Sequence, residues 1–190
     1  MPDDGCLSRS LGSNHFILPL NLCLEEAVVT MEHILRTMEP GDAIKIKEII
    51  DLSFSPFIRF FALHSLDDEG RVLVVENQEG VIAGFAKLIT FKERAIKYGC
   101  ILWIAVHPKY RLKGIASNLV NAGLNDLKDE GAKAVFASVR RRNFASLAVF
   151  KKQGFKRMNL IGLWRLFGWQ TFKFLSDIWL APGEVALIHT

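Results

Sequence analysis

With 190 residues, half of them apolar, the chain is long enough for one ordinary domain plus a tail and too hydrophobic to be a disordered polymer. Cys6, Cys23 and Cys100 stand far apart with no CxxC pair, which argues against a disulfide framework and a metal site and for a reducing cytoplasm. The net charge of +4 is mild and its densest cations form two compact clusters, Lys109/Arg111/Lys113 and Arg140/Arg141/Arg142, so a nucleic-acid partner is not expected.

Residues 1–30 have no sustained period and read as a tail. Within them "FILPLNLCL" (16–24) is short, broken by Pro19 and preceded by Asp3 and Asp4, unlike a secretory signal. One domain is expected over 31–190. "HILRTM" (33–38) reads as a strand, and from Asp42 the spacing of Ile46, Ile49 and Ile50 predicts a helix that Pro56 interrupts. A short helix over 57–66 and a turn at 67–70 come next. "RVLVVEN" (71–77) and "VIAGFAKLITF" (81–91) form a predicted hairpin, and "AIKYGCILWIAV" (95–106), apolar on both faces, a central strand.

A helix over 114–130 turns Ile115, Leu119, Ala122, Leu124 and Leu127 inward. A strand (134–140) and a helix (145–153) stopped by Gly154 follow. "KRMNLIGLWRL" (156–166) reads as a strand and "GEVALIHT" (183–190) as the last one. Between them a helical segment puts Gln170, Lys173 and Asp177 on one face and Trp169, Phe172, Leu175 and Trp179 toward the other. The apolar stretch 160–180 is long enough to span a bilayer, but Arg165, Lys173 and Asp177 are costly in hydrocarbon, so no integral span is expected. The order of elements predicts an α/β chain of the α+β type: a mixed, mostly antiparallel central sheet flanked by helices.

The chemistry concentrates at "AVHPKYRLKGIAS" (105–117), where a strand ends, a turn follows and a helix begins near Gly114. Free backbone N–H groups at a helix start attract anions, a glycine lets phosphate approach the backbone, and Arg111 and Lys113 add charge. The glycine spacing fits neither a Walker loop nor a GxGxxG dinucleotide loop. About thirty residues later comes "NFASLAVFKKQGF" (143–155).

"IAVHPKYRLKGIASNL" (104–119) and "NFASLAVFKKQGF", in this order and at this spacing, resemble the GNAT superfamily of acyl-CoA-dependent N-acyltransferases over residues 31–157. The resemblance implies an acetyl-CoA-dependent transfer to a primary amine on a small molecule, a peptide N-terminus or a lysine. It implies that the turn Arg111-Leu112-Lys113-Gly114-Ile115-Ala116 cradles the CoA pyrophosphate. It also implies that the backbone of Ile104, Ala105 and Val106, on a bulged and splayed strand, holds the pantetheine arm and polarises the thioester. Asn143 matches a position that contacts the cofactor arm, and as an N-cap of the following helix it would fit equally well.

Two positions depart from the family pattern. Phe150 stands where a tyrosine often protonates the leaving thiolate, and Trp103 lies on a strand that carries no acid where many members place a glutamate base. Acid and base are thus unassigned, with Tyr110, His107, Glu76 and His64 as candidates and backbone-relayed water as another answer. The same departures favour an alternative reading, a non-catalytic acyl-CoA-binding sensor or regulatory module. The variable insert over 158–182 falls where the superfamily builds its acceptor side and its dimers, so a lid or a homodimer contact is expected there. A membrane-surface role is disfavoured, because the polar face of the helix over 167–182 has few cations.

Overall fold

The computed structural model describes residues 33–178, 180–181 and 183–190. The expected tail, with Cys6 and Cys23, lies outside the described residues, as do Trp179 and the side chain of Asp177.

The elements run β1 (Ile34–Thr37), α1 (Ala43–Ser53), α2 (Pro56–His64), β2 (Arg71–Glu76), β3 (Ile82–Glu93), β4 (Ile96–Val106) and α3 (Ile115–Asp129). They continue β5 (Val135–Arg140), α4 (Phe144–Lys152), β6 (Lys156–Met158), α5 (Leu160–Phe167), α6 (Thr171–Asp177) and β7 (Glu184–His189). Pro56 occupies the first turn of α2, where its missing N–H costs nothing. Arg94 and Ala95, both at positive φ, join β3 to β4 as a two-residue hairpin whose twist suits antiparallel strands.

The strands form one sheet in the order β1-β2-β3-β4-β5-β7-β6. Every neighbouring pair is antiparallel except β4 and β5. The expected mixed, mostly antiparallel sheet flanked by helices is what the chain forms. Strand alternation divides the core by face. Leu73, Val75, Val135 and Ala137 pack with α3 and α4 on one face. Val72 and Val74 lie on the other, under α1 and α2. Phe136 and Ala186 share that second face beneath α5 and α6. Trp103 touches both of its clusters, at the junction of the two helix pairs.

The expected strand over 156–166 is corrected by the structure. Pairing stops at Met158, and α5 begins at Leu160. Asn159 causes the switch: its side chain accepts a hydrogen bond from the Gly162 N–H at 2.8 Å and caps the helix. Leu163 and Phe167, four residues apart and each 1% exposed, then form the inward stripe. In α6 and the residue after it the inward residues are Phe174 and Ile178, whereas Phe172 and Trp169, just before the helix, both read from the sequence on the apolar side, are 70% and 82% exposed. Phe174 stacks on Phe167 with ring centroids 4.2 Å apart and meets Phe136 edge-on at 4.7 Å. No described helix is long and apolar enough to cross a membrane.

The helical insert is therefore part of the core. Phe174→Ala should cost about 3–5 kcal/mol and lower the melting temperature by roughly 10 °C, while Trp169→Ser should stay within about 0.5 kcal/mol. Thermal unfolding of both variants checks the contrast.

Candidate functional site

The one parallel pairing is short. β4 pairs with β5 only through Gly99, Cys100 and Ile101 opposite Val135, Phe136 and Ala137. Just beyond, the β3 register slips: Lys87 faces Trp103 and Leu88 faces Ile101, so Leu102 is an extra residue in β4. From there β4 runs on to Val106 beside β3, while Ser138 to Arg140 of β5 pair with β7 alone. A wedge opens between the two strands, with its apex at Ile101 and about 16 Å of β4 along one wall. The β5-facing backbone groups of 102–106 have no strand partner there, so an extended chain could pair with them as an added strand.

The mouth of the wedge leads to the loop expected to seat an anion. After Val106 come His107, a 3-10 turn at Pro108–Tyr110, and a loop in which Leu112 (φ 64°) and Gly114 (φ 79°) are both left-handed. No side chain caps α3, which leaves the N–H groups of its first turn exposed to a ligand. Nothing lies within 4 Å of where a Gly114 β-carbon would stand. The glycine thus answers to its φ, and the space above the helix start is open.

Arg111 does something the motif alone does not reveal. Its Nε donates to the Val106 carbonyl at 3.1 Å and its Nη2 to Ser53 Oγ at 3.3 Å, tying the end of β4 to the last residue of α1. Lys113 lies over the Tyr110 ring, 5.7 Å from its centroid. Because β4 and β5 are parallel, Arg140, Arg141 and Arg142 at the end of β5 emerge at the same edge of the sheet as Lys109, Arg111 and Lys113. Asn143 is the N-cap of α4, accepting from the Ser146 N–H at 3.1 Å.

The four proton-transfer candidates are scattered. His107 and Tyr110 sit together near the mouth, rings 5.6 Å apart, and His107 Nδ1 accepts from the Lys109 N–H at 3.2 Å. Glu76 is held by Arg36, which it meets at 2.6 Å. His64 is exposed at the end of α2, stacked beside Phe60 at 6.2 Å. Phe150 is buried with its ring edge-on to Phe155 at 5.0 Å. Trp103 Nε1 donates to Ser65 Oγ at 2.7 Å, and its ring meets Phe54 at 5.8 Å, so an apolar wall stands beside the apex.

Sequence reading missed Lys87. It is 1% exposed, on β3 directly opposite Trp103, and its ammonium donates to the Asp68 carbonyl at 2.8 Å. Burial pulls its pKa below the usual lysine value, against the opposing fields of Asp68 and Asp67. It lines a cleft of about 380 Å³ with Ser65, Asp68, Glu69, Leu102 and Ser176, beside the apex. A lone lysine inside the apolar run "FAKLITF" was the available signal. A larger cleft of about 640 Å³ between α4 and β6 shares no residue with the wedge. No group of His, Cys, Asp or Glu among the described residues could hold a metal ion.

A sequence model of the acetyltransferase (GNAT) family matches residues 32–155. The chain belongs to this family. Among curated proteins it is 33% identical over 67 residues to an N-alpha-acetyltransferase of Saccharolobus solfataricus, a match covering 35% of this chain and 40% of that protein. The chain thus spans less than half the length of that relative. Among solved folds it is similar to PaiA N-acetyltransferase from Thermoplasma acidophilum in complex with coenzyme A, with a TM-score of 0.61 at 15% identity over 84% of this chain and 99% of the other. It is also similar to a chain of the NatC complex bound to Gag peptide and CoA, with a TM-score of 0.59 at 20% identity over 83% and 98%. At these identities the structural likenesses show the GNAT fold alone.

Glu76 is thus one partner of a structural ion pair. Arg36 also bonds Asp42 at 2.6 Å and holds that carboxyl below its usual range, against the cost of burial. A depressed native value adds stability that is complete above the unfolded carboxylate pKa of ~3.9 and fades as pH falls through the native value. Arg36→Ala should move the acid-unfolding midpoint upward while leaving acetyl-CoA binding unchanged, as read by circular dichroism and calorimetry.

Proposed function

We propose that the chain transfers the acetyl group of acetyl-CoA to a primary amine by direct attack in a ternary complex. The wedge that ends at an uncapped helix start is the observation that carries this reading. It offers an extended arm a row of backbone partners and offers phosphates free N–H groups, with two cation clusters at the same edge. Pyrophosphate is assigned to the backbone of residues 111–116 and to Lys113. Arg111 serves there mainly by bracing the loop against Val106, and Asn143 lines the β5 side. A reducing cytoplasm is the setting that the spacing of the cysteines favours.

With phosphates at the mouth, the thioester lies toward the apex. An unpaired N–H of β4 in the wedge then receives the developing oxyanion. The amine enters as its neutral form, attacks the thioester carbon, loses its second proton to water, and the thiolate departs to be protonated by solvent. His107 and Tyr110, near the mouth, stand closer to the phosphates than to this step, and Trp103 and Leu102 offer no proton. Water relayed by backbone carbonyls therefore carries the protons, and the enzyme acts chiefly by holding the reactants together. The cleft lined by Lys87, Asp68 and Ser176 receives the rest of the acceptor. An α-amine of a polypeptide is the favoured acceptor, since the curated relative is an N-alpha-acetyltransferase.

The second reading is a non-catalytic acyl-CoA-binding module, favoured by Phe150 in the tyrosine position and by the absence of an acid beside Trp103.

Titration with acetyl-CoA should stabilise the protein by about 2.7 kcal/mol at ~100 times the dissociation constant, read by thermal shift. Dephospho-CoA should bind more weakly. Gly114→Val, which forces a branched side chain into a left-handed position at a cost of ~1–2 kcal/mol, should blunt the response. A protein that shows no shift in its folded state would end both readings.

Turnover separates the two. Without an enzyme carboxylate as base, kcat/KM should rise with pH and level off near the acceptor's own pKa, ~8 for an α-amine and ~10.4 for a lysine-type amine. A profile that keeps one inflection for both acceptors would overturn the water route. A clear acetyl-CoA shift with no turnover of any amine would favour the binding module.

A further inference from the structure

α5 is apolar on nearly every side. Of its eight residues only Gly162 and Arg165 interrupt the run. Leu163 and Phe167 satisfy the core, yet Leu160 and Ile161 (each 64% exposed) and Trp164 (43%) face outward. A helix that is hydrophobic all round is ordinarily covered on all sides. The patch continues onto the next turns: Trp164 meets Trp169 at 5.2 Å and Phe172 at 6.4 Å. Such a cluster of exposed tryptophan and phenylalanine is unusual on a surface facing only water.

Charge indicates what covers it. From Lys156 through Asp177, the end of α6, the sequence holds Lys156, Arg157, Arg165 and Lys173 against one acidic residue, Asp177. Arg165 is exposed within the patch and the exposed Arg94 of the β3–β4 turn donates to Gln170 Oε1 beside it at 3.3 Å, while Lys173 bonds Glu93 of β3 at 3.3 Å. A second copy related by a two-fold axis would bring these cations against each other, with four cations to one acid over residues 156–177. A surface of anionic headgroups over hydrocarbon meets both needs, since indole and phenyl rings settle at the interface while arginines reach the headgroups. At about 12 Å, α5 is far too short to cross a bilayer of ~30 Å, so the contact is a surface one. The sequence disfavoured this because it weighed only the polar face of the helix over 167–182. The structure turns Trp169 and Phe172 outward and adds α5 with Arg165, and Arg94 beside it.

We propose that the face formed by α5 and the start of α6 docks the protein on anionic lipid surfaces, with Trp164, Trp169 and Phe172 entering the interface and Arg94 and Arg165 on the headgroups. The proposal stands independently of the catalytic reading.

The full chain would be sedimented with vesicles of phosphatidylcholine containing one-quarter phosphatidylglycerol, and with phosphatidylcholine vesicles alone. It should pellet with the first at low salt, lose binding as salt rises, and show a blue shift of tryptophan emission. At about fivefold per cation, Arg94→Gln with Arg165→Gln should weaken binding roughly 25-fold. Trp169→Ser with Phe172→Ser should abolish it. Both pairs lie on the surface and should keep the melting temperature and the response to acetyl-CoA. Failure to pellet with anionic vesicles, or equal binding by both variant pairs, would overturn the proposal. So would a dimer in analytical ultracentrifugation that dissolves in the Trp169→Ser/Phe172→Ser protein, which would assign the face to a second copy.

Discussion

Three residue pairs between β4 and β5 carry the parallel register on which the site depends. Were the pairing longer, the strands would satisfy each other's backbone groups and no slot would exist. Were it absent, the sheet would part into two halves. Leu102 sets the limit: one extra residue in β4 bends the strand toward β3 and away from β5. Arg111, bonded to the Val106 carbonyl and to Ser53, then fixes the far end of β4 against α1. The wedge is thus held open from both ends, and its backbone without a strand partner is the proposed binding surface.

The same face of the sheet shows how this chain differs from the pattern of its family. Trp103 takes a place often given to a base and uses its indole N–H to pin Ser65, joining α2 to β4. Beside it Lys87 is buried with a backbone carbonyl as its hydrogen-bond partner, a costly arrangement that a core lysine keeps only where the surroundings demand it. Together they make the space near the apex apolar on one side and cationic on the other. In the proposed reaction such a site would do little proton chemistry and much positioning, which suits an acceptor that arrives already neutral.

Most of the frame was legible in the sequence, because strands 71–106 and the helix after Gly114 have strong periods and clear punctuation. The uncapped helix start proposed to seat phosphate was legible for a local reason: its geometry comes from a glycine, a helix start and nearby cations, all contiguous. The wedge was visible only through family resemblance, since no glycine or proline marks the bulge at Leu102 and register is a relation between strands. "LIGLWRL" misled because a short apolar run fits a buried strand as well as a helix. Asn159 decided it through a cap whose partner, the Gly162 N–H, exists only once the helix has formed. Lys87 and the Glu76–Arg36 pair were beyond reach for the same reason, their meaning being set by neighbours distant in the chain.

The strand order has a temporal side. β1 through β4 join neighbours by hairpins or a short helical excursion, so that half of the sheet can assemble from nearby segments. β5 finds its longer partner, β7, only about fifty residues further along, after α4, β6 and both helices of the insert. The wedge proposed to hold the cofactor is therefore the seam between an early and a late cooperative unit. A ligand lying in it would bridge the two, and slow amide exchange on both sides of the seam would be the trace of a protein that completes its own folding when it binds.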